Sequence, residues 1–157
     1  MSTSGTSGTS KTDPPVDPRG VRFAAALTTV VLALVLLSGS GWLLAAQGVV
    51  FALGAFAGMR FSPYSVLFRS LVARRLGPPS EREDAAPVRF SQLVGFVFAV
   101  AGTVGFFTGL TVLGIIATAF ALVAAFLNAA FGFCLGCEMY ALIVRLRQSV
   151  NKQGATA

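Results

Sequence analysis

The placement of charge constrains this chain more than any other feature. Between Arg22 and Arg60 lie 37 residues without a charged side chain, and between Arg89 and Glu138 lie 48. A membrane-spanning helix needs about 20 apolar residues, with a range of roughly 17–25. The first run therefore has room for two short spans with a tight turn, and the second for two spans with residues to spare. Composition agrees: the chain is 55% hydrophobic and only 11% charged, with mean hydropathy +0.77. Soluble domains carry about 25% charged residues, so this chain lacks the polar surface of a water-soluble fold. Ser38-Gly39-Ser40-Gly41 marks the first turn, with Trp42 after it as an interfacial anchor, and Gly105-Phe106-Phe107-Thr108-Gly109 marks the second. These signals predict an all-α membrane protein with four spans, near residues 22–38, 42–59, 90–107 and 110–130.

The basic residues orient it. Lys11, Arg19 and Arg22 precede the first run, and Arg145, Arg147 and Lys152 follow the second. Arg60, Arg69, Arg74, Arg75, Arg82 and Arg89 lie between them. With two spans per run, all three segments share one face, which the positive-inside rule makes cytoplasmic together with both termini. The net charge of +6 is then mainly a topology signal, with attraction to anionic lipid as a second use. It does not indicate nucleic-acid binding, because the basic residues are spread among membrane-flanking segments. The first apolar segment is expected to be a retained span and not a cleaved signal peptide, since cleavage would leave three spans and break the pairing of the charged segments.

Residues 1–16, mostly Ser, Thr, Gly and Pro, read as a disordered tail, and 151–157 as a flexible C-terminus. The membrane domain, residues 17–150, reads as a duplication. Val21-Arg22-Phe23 opens the first hairpin and Val88-Arg89-Phe90 the second. Tyr64 with Arg69 follows one, and Tyr140 with Arg145 the other. Two units of two spans each predict parallel repeats about an axis along the membrane normal. Each hairpin is followed by a predicted interfacial amphipathic helix. In the first, Tyr64, Leu67, Phe68 and Leu71 form the apolar stripe, while Arg69, Arg74 and Arg75 lie off it and are candidates for lipid or partner contact. In the second, the stripe is Met139, Leu142, Ile143 and Leu146.

The second unit carries about nine extra residues, and the only cysteines, Cys134 and Cys137, lie among them. Two cysteines fall at this spacing by chance about once in a hundred times. A Cys-x-x-Cys closes a short disulfide loop, and a thiolate near a helix N-terminus is acidified. That makes Cys134 the expected nucleophile and Cys137 the resolving thiol; the Glu138 carboxylate works against the acidification. Three readings stay open here: a redox or sulfur-relay dithiol, a metal ligand, and inert thiols. Metal is the weakest, because a structural zinc site takes four ligands and the chain has no His. No flavin, heme or nucleotide motif is present, so no cofactor is expected. The spans contain almost no ionisable group, which argues against a proton or ion pathway and leaves a small-solute permease or a non-catalytic scaffold as rivals. Gln47, Gln92 and Asn128 are expected in helix–helix hydrogen bonds. Gly54 and Gly58 form a small-xxx-small packing face, suited to the other repeat or to a second copy in a homodimer.

Several motifs together resemble a bacterial membrane-protein family catalogued as domain of unknown function 4395. They are Asp17 to Phe23, Ser62-Pro63, the linker Gly77 to Asp84, Arg89-Phe90 and, most specific, Phe133-Cys134-Leu135-Gly136-Cys137. The resemblance covers about residues 17–147. It implies a four-span protein of the bacterial inner membrane and, by association of such families, a thioredoxin-like or sulfurtransferase partner. Membrane enzymes that pass electrons from disulfide formation to quinone also carry Cys-x-x-Cys on four helices. Their working cysteines face the oxidising side and need a second pair that this chain lacks, so the sequence assigns no quinone chemistry.

Overall fold

The computed structural model describes residues 14–155, and most of the expected N-terminal tail lies outside them. The described chain is helical, apart from turns and one isolated backbone bridge. Helix α1 spans Pro18–Ser38 and α2 spans Gly41–Ala57, whose last turn, Leu53–Ala57, is widened to π geometry. A single 3-10 turn, Met59–Phe61, leads to α3, residues 63–76. Helices α4 (Ala85–Phe107), α5 (Thr111–Phe131) and α6 (Leu135–Ala155) complete the chain. Three helices, α1, α4 and α5, are long and apolar enough to cross a membrane, while α2 is apolar but shorter. Their outward side chains, among them Val30, Leu34, Val97, Val104, Ile115 and Phe120, are exposed, as contact with lipid requires.

Local chemistry explains the ends. The Asp17 carboxylate accepts from the Arg19 N–H at 2.9 Å, and Pro18 occupies the first helical position, where its missing N–H costs nothing. Helix α1 thus begins four residues before the apolar run alone suggested. Likewise α4 begins at Ala85, with Pro87 tolerated in its first turn. Ser40 caps α2 by accepting from the Leu43 N–H. Helix α6 continues to Ala155, past residue 150, where a flexible C-terminus was expected. At the other margin, Val16 exchanges two backbone hydrogen bonds with Glu83, at 2.9 and 3.0 Å.

The packing is crossed. Helix α1 lies chiefly against α5 and α2 against α4, while α1 and α2 touch little. Small residues let the helices approach: Ala24, Ala25, Ala99, Ala117 and Ala121 are buried, and a Cβ on Gly105 would sit 2.6 Å from the Gly114 backbone nitrogen. Two arginines tie the crossed pairs at the charged end. Arg89 of α4 donates from Nε and Nη2 to the Ala55 carbonyl of α2, at 3.0 and 2.9 Å. Arg22 of α1 donates to the Ala129 carbonyl of α5 at 3.4 Å. Both carbonyls belong to helix C-termini, which lack intrahelical donors and carry partial negative charge.

Deeper in, Gln47 donates to Thr28 at 3.4 Å and accepts from the Tyr64 hydroxyl at 2.6 Å, joining α2, α1 and α3. Burial raises the Tyr64 pKa, so the hydroxyl remains a donor. The stripe of α3 splits: Phe68 is buried against Gly20 and Phe23, whereas Leu67 and Leu71 are exposed.

Candidate functional site

Three local decisions position the cysteine pair. Gly132 ends α5 with φ 68, a left-handed conformation that disfavours side chains, and its N–H returns to the Asn128 carbonyl at 3.0 Å. Three residues later α6 begins, so Cys134 stands immediately before its first residue, in the N-cap position. Its sulfur accepts from the Cys137 N–H at 3.3 Å, as a Ser or Asp cap oxygen does from N3. Cys137 is therefore the N3 residue. The two sulfurs lie at disulfide distance, with Cα atoms 5.2 Å apart.

Helix α6 is held at this spot by Gly136. A Cβ there would lie 2.6 Å from the Ser91 Cα of α4 and closer still to its Cβ. Tyr140, one turn on, packs against Phe90 with ring centroids 5.8 Å apart. Cys137 leans on the buried cluster of Val21, Met59 and Val88. Cys134 borders two spaces, the first of which Cys137 borders as well. One is a polar cleft of about 350 Å³ that also holds Arg22, Glu83, Asp84 and Glu138. The other is a partly open apolar cavity of about 280 Å³ lined chiefly by α1, α4, α5 and the start of α6. The helix N–H groups and the Arg22 guanidinium favour a thiolate at this N-cap sulfur, while Glu83, Asp84 and Glu138 in the same cleft oppose it.

The sequence pattern of the family described as Domain of unknown function (DUF4395) matches residues 16–145. The chain belongs to this family. No curated protein and no solved structure matches it. The family match thus takes in the whole bundle, the linker and the cysteine pair, and attaches no activity to them.

The remaining candidate residues are dispersed. Arg69 is spent locally, donating to the Ser65 and Arg60 carbonyls, and borders a separate cleft of about 730 Å³ with Arg60 and Arg82. Arg74 and Arg75 are exposed. Gly54 faces the Gln92 side chain of α4, whereas Gly58 breaks the chain after α2 at φ 99, with open space where a Cβ would stand. Among the described residues, no group of three His, Cys, Asp or Glu converges as a metal site. Sequence reasoning overlooked Arg22 as a neighbour of the pair. Its signal was present, since Val21-Arg22-Phe23 stood out as a repeated motif, but the motif did not say which helix the arginine meets.

Proposed function

We propose that the protein is a membrane dithiol that exchanges disulfide or sulfane sulfur with a soluble thioredoxin-like or sulfurtransferase partner at the cytoplasmic face of the bacterial inner membrane. The observation that carries this reading is Cys134 at the N-cap of α6 with Cys137 one turn on, both bordering a polar cleft and Cys137 also resting on an apolar cluster. In disulfide exchange, the Cys134 thiolate attacks a partner disulfide and expels one partner thiolate. Cys137 then attacks the Cys134 sulfur, forming the internal disulfide and releasing the second partner thiolate; the reverse sequence reduces the internal disulfide. In sulfur transfer, Cys134 takes the outer sulfur of a partner persulfide and the partner thiolate leaves.

This reading includes four spans. Helix α2, at 1.5 Å per residue, is about 25 Å long against a hydrocarbon core of about 30 Å, and it would be the short fourth span. Two parallel repeats are supported by the reciprocal links: Arg22 of one hairpin reaches the second helix of the other, and Arg89 does the converse. Phe23 on Phe68 and Phe90 on Tyr140 repeat the same tilted ring contact, at 5.7 and 5.8 Å. The rival reading is a non-catalytic scaffold, favoured by the uncovered α6 stripe of Met139, Leu142, Ile143 and Leu146. Membrane-impermeant maleimide, applied to intact cells and to inverted vesicles before and after mild oxidation, decides between them. A reversible Cys134–Cys137 disulfide reached only in inverted vesicles supports the dithiol. Thiols that neither label nor oxidise leave the scaffold.

A further inference from the structure

The apolar cavity behind Cys134 has no part in exchange with a soluble partner. It lies beside the N-terminal halves of α1 and α4 and the C-terminal half of α5. The offset stack of Phe98 and Phe120, centroids 6.2 Å apart, bounds it at the deep end, and Cys134 and Gly136 bound it at the other. Its walls are mainly aliphatic and aromatic, but Gln92, which also lies against Gly54 of α2, and Asn128, which also borders the polar cleft, are among its lining residues. Among the described residues neither amide has a hydrogen-bond partner. The sequence-based expectation was that both would join helices, as Gln47 does. An amide N–H without a protein partner beside an apolar space is free to donate to a ligand that offers carbonyl oxygens. At about 280 Å³ the cavity is near the small end of ligand sites, roughly 300–1,000 Å³. That is room for one substituted ring and not for a folded tail.

We infer that this cavity binds the ring of a lipid-soluble quinone, with its carbonyl oxygens towards Gln92 and Asn128, and that the quinone oxidises the Cys134–Cys137 dithiol. The inference rests on the reading of the pair as a working dithiol and gives that reading a direction. Both thiols lose their protons and together two electrons as the S–S bond forms. The quinone gains the two electrons and two protons and leaves as quinol. The second cysteine pair of other quinone-linked disulfide enzymes is not required, because the polar cleft on the opposite side of Cys134 admits a soluble dithiol directly. Apolar cavity, sulfur and polar cleft are contiguous, so electrons pass from water-soluble thiols to a lipid carrier through one cysteine pair.

The test uses the full chain in phospholipid nanodiscs, reduced, freed of reductant and mixed with decylubiquinone, whose fully substituted ring cannot retain a thiol adduct. One quinol per protein and loss of both maleimide sites are expected. Gln92→Leu and Asn128→Leu should raise the quinone concentration that gives half the maximal rate of this single turnover at least tenfold, with a smaller change in the rate of reaction with the soluble disulfide DTNB. Binding is read separately as a rise in Tm of the oxidised protein with decylubiquinone, absent in the double variant. That variant's own Tm without quinone reports its folding. Reduced protein that exchanges with DTNB yet leaves the quinone oxidised overturns the inference while sparing the proposed function. So does quinone reduction with an unchanged half-saturating concentration in both variants, which would mean attack from bulk lipid. Quinone reduction without any exchange with soluble thiols would keep the cavity assignment and end the proposed function.

Discussion

Replacing Gly136 with Ala tests how the dithiol helix is held. The added Cβ would sit 2.6 Å from the Ser91 Cα. Ordinary carbon contact begins near 3.4 Å, so α6 or α4 must yield by about 1 Å. The obstacle is backbone, which has no rotamer to change. Overpacking of this kind costs about 1–3 kcal/mol, and a backbone obstacle belongs at the upper end. Against it stands the gain of about 1 kcal/mol from Ala over Gly within a helix. The expected net loss is about 2 kcal/mol, or a Tm lower by roughly 4–8 °C for a chain of this size. Thermal unfolding in nanodiscs measures it, with maleimide labelling of the reduced protein in parallel, since a displaced α6 start uncovers Cys137. Adding Ser91→Gly removes the nearer Cβ but not the Cα, so it should restore only part of the loss. Gly154→Ala, on the same helix with nothing within 4 Å, should be neutral or slightly stabilising. A Gly136→Ala protein as stable as the parent, or more so, would refute the close approach of α6 to α4.

Further expectations follow from the crossed packing and the buried polar groups. Arg89→Met removes both bonds to the Ala55 carbonyl and should cost about 1.5–3 kcal/mol in denaturant unfolding. Arg22→Met removes one longer, exposed bond and should cost measurably less. Gln47→Leu strands the Tyr64 hydroxyl and should destabilise by about 1–3 kcal/mol. The double variant with Tyr64→Phe should recover part of that, a coupling that two independent sites would not show. Thr103 Oγ1 is buried without a partner among the described residues, so Thr103→Val should leave unfolding unchanged or shift it upward.

Much of the local structure was legible in the chain. Ser38 to Gly41 and Gly105 to Gly109 marked the two turns, because glycine and small polar residues interrupt long apolar runs wherever they stand. Gly77, the first residue of the linker motif, ends α3 with φ 71. The position of Cys134 just before a helix was also readable, since Gly132 stops one helix and the following residues start another. The helix starts were misjudged by a few residues, because hydropathy marks where a segment becomes apolar while Asp17 and Asp84 mark where the backbone becomes helical.

Charge and hydropathy by themselves determined which segments are apolar enough for lipid and which ends gather the arginines. These depend on transfer free energy, a property each segment has alone. Only the tertiary structure decided that α1 meets α5 and α2 meets α4, that Gly136 brings α6 onto Ser91, and that an apolar cavity opens behind Cys134. The physical reason is that lipid-facing and protein-facing positions in such helices are equally apolar, so no polar face announces the partner. Association then rests on shape, on where Ala and Gly let backbones meet. Whether Arg22 lies near a sulfur or Gln92 near a void follows from that shape, beyond the reach of spacing along one chain.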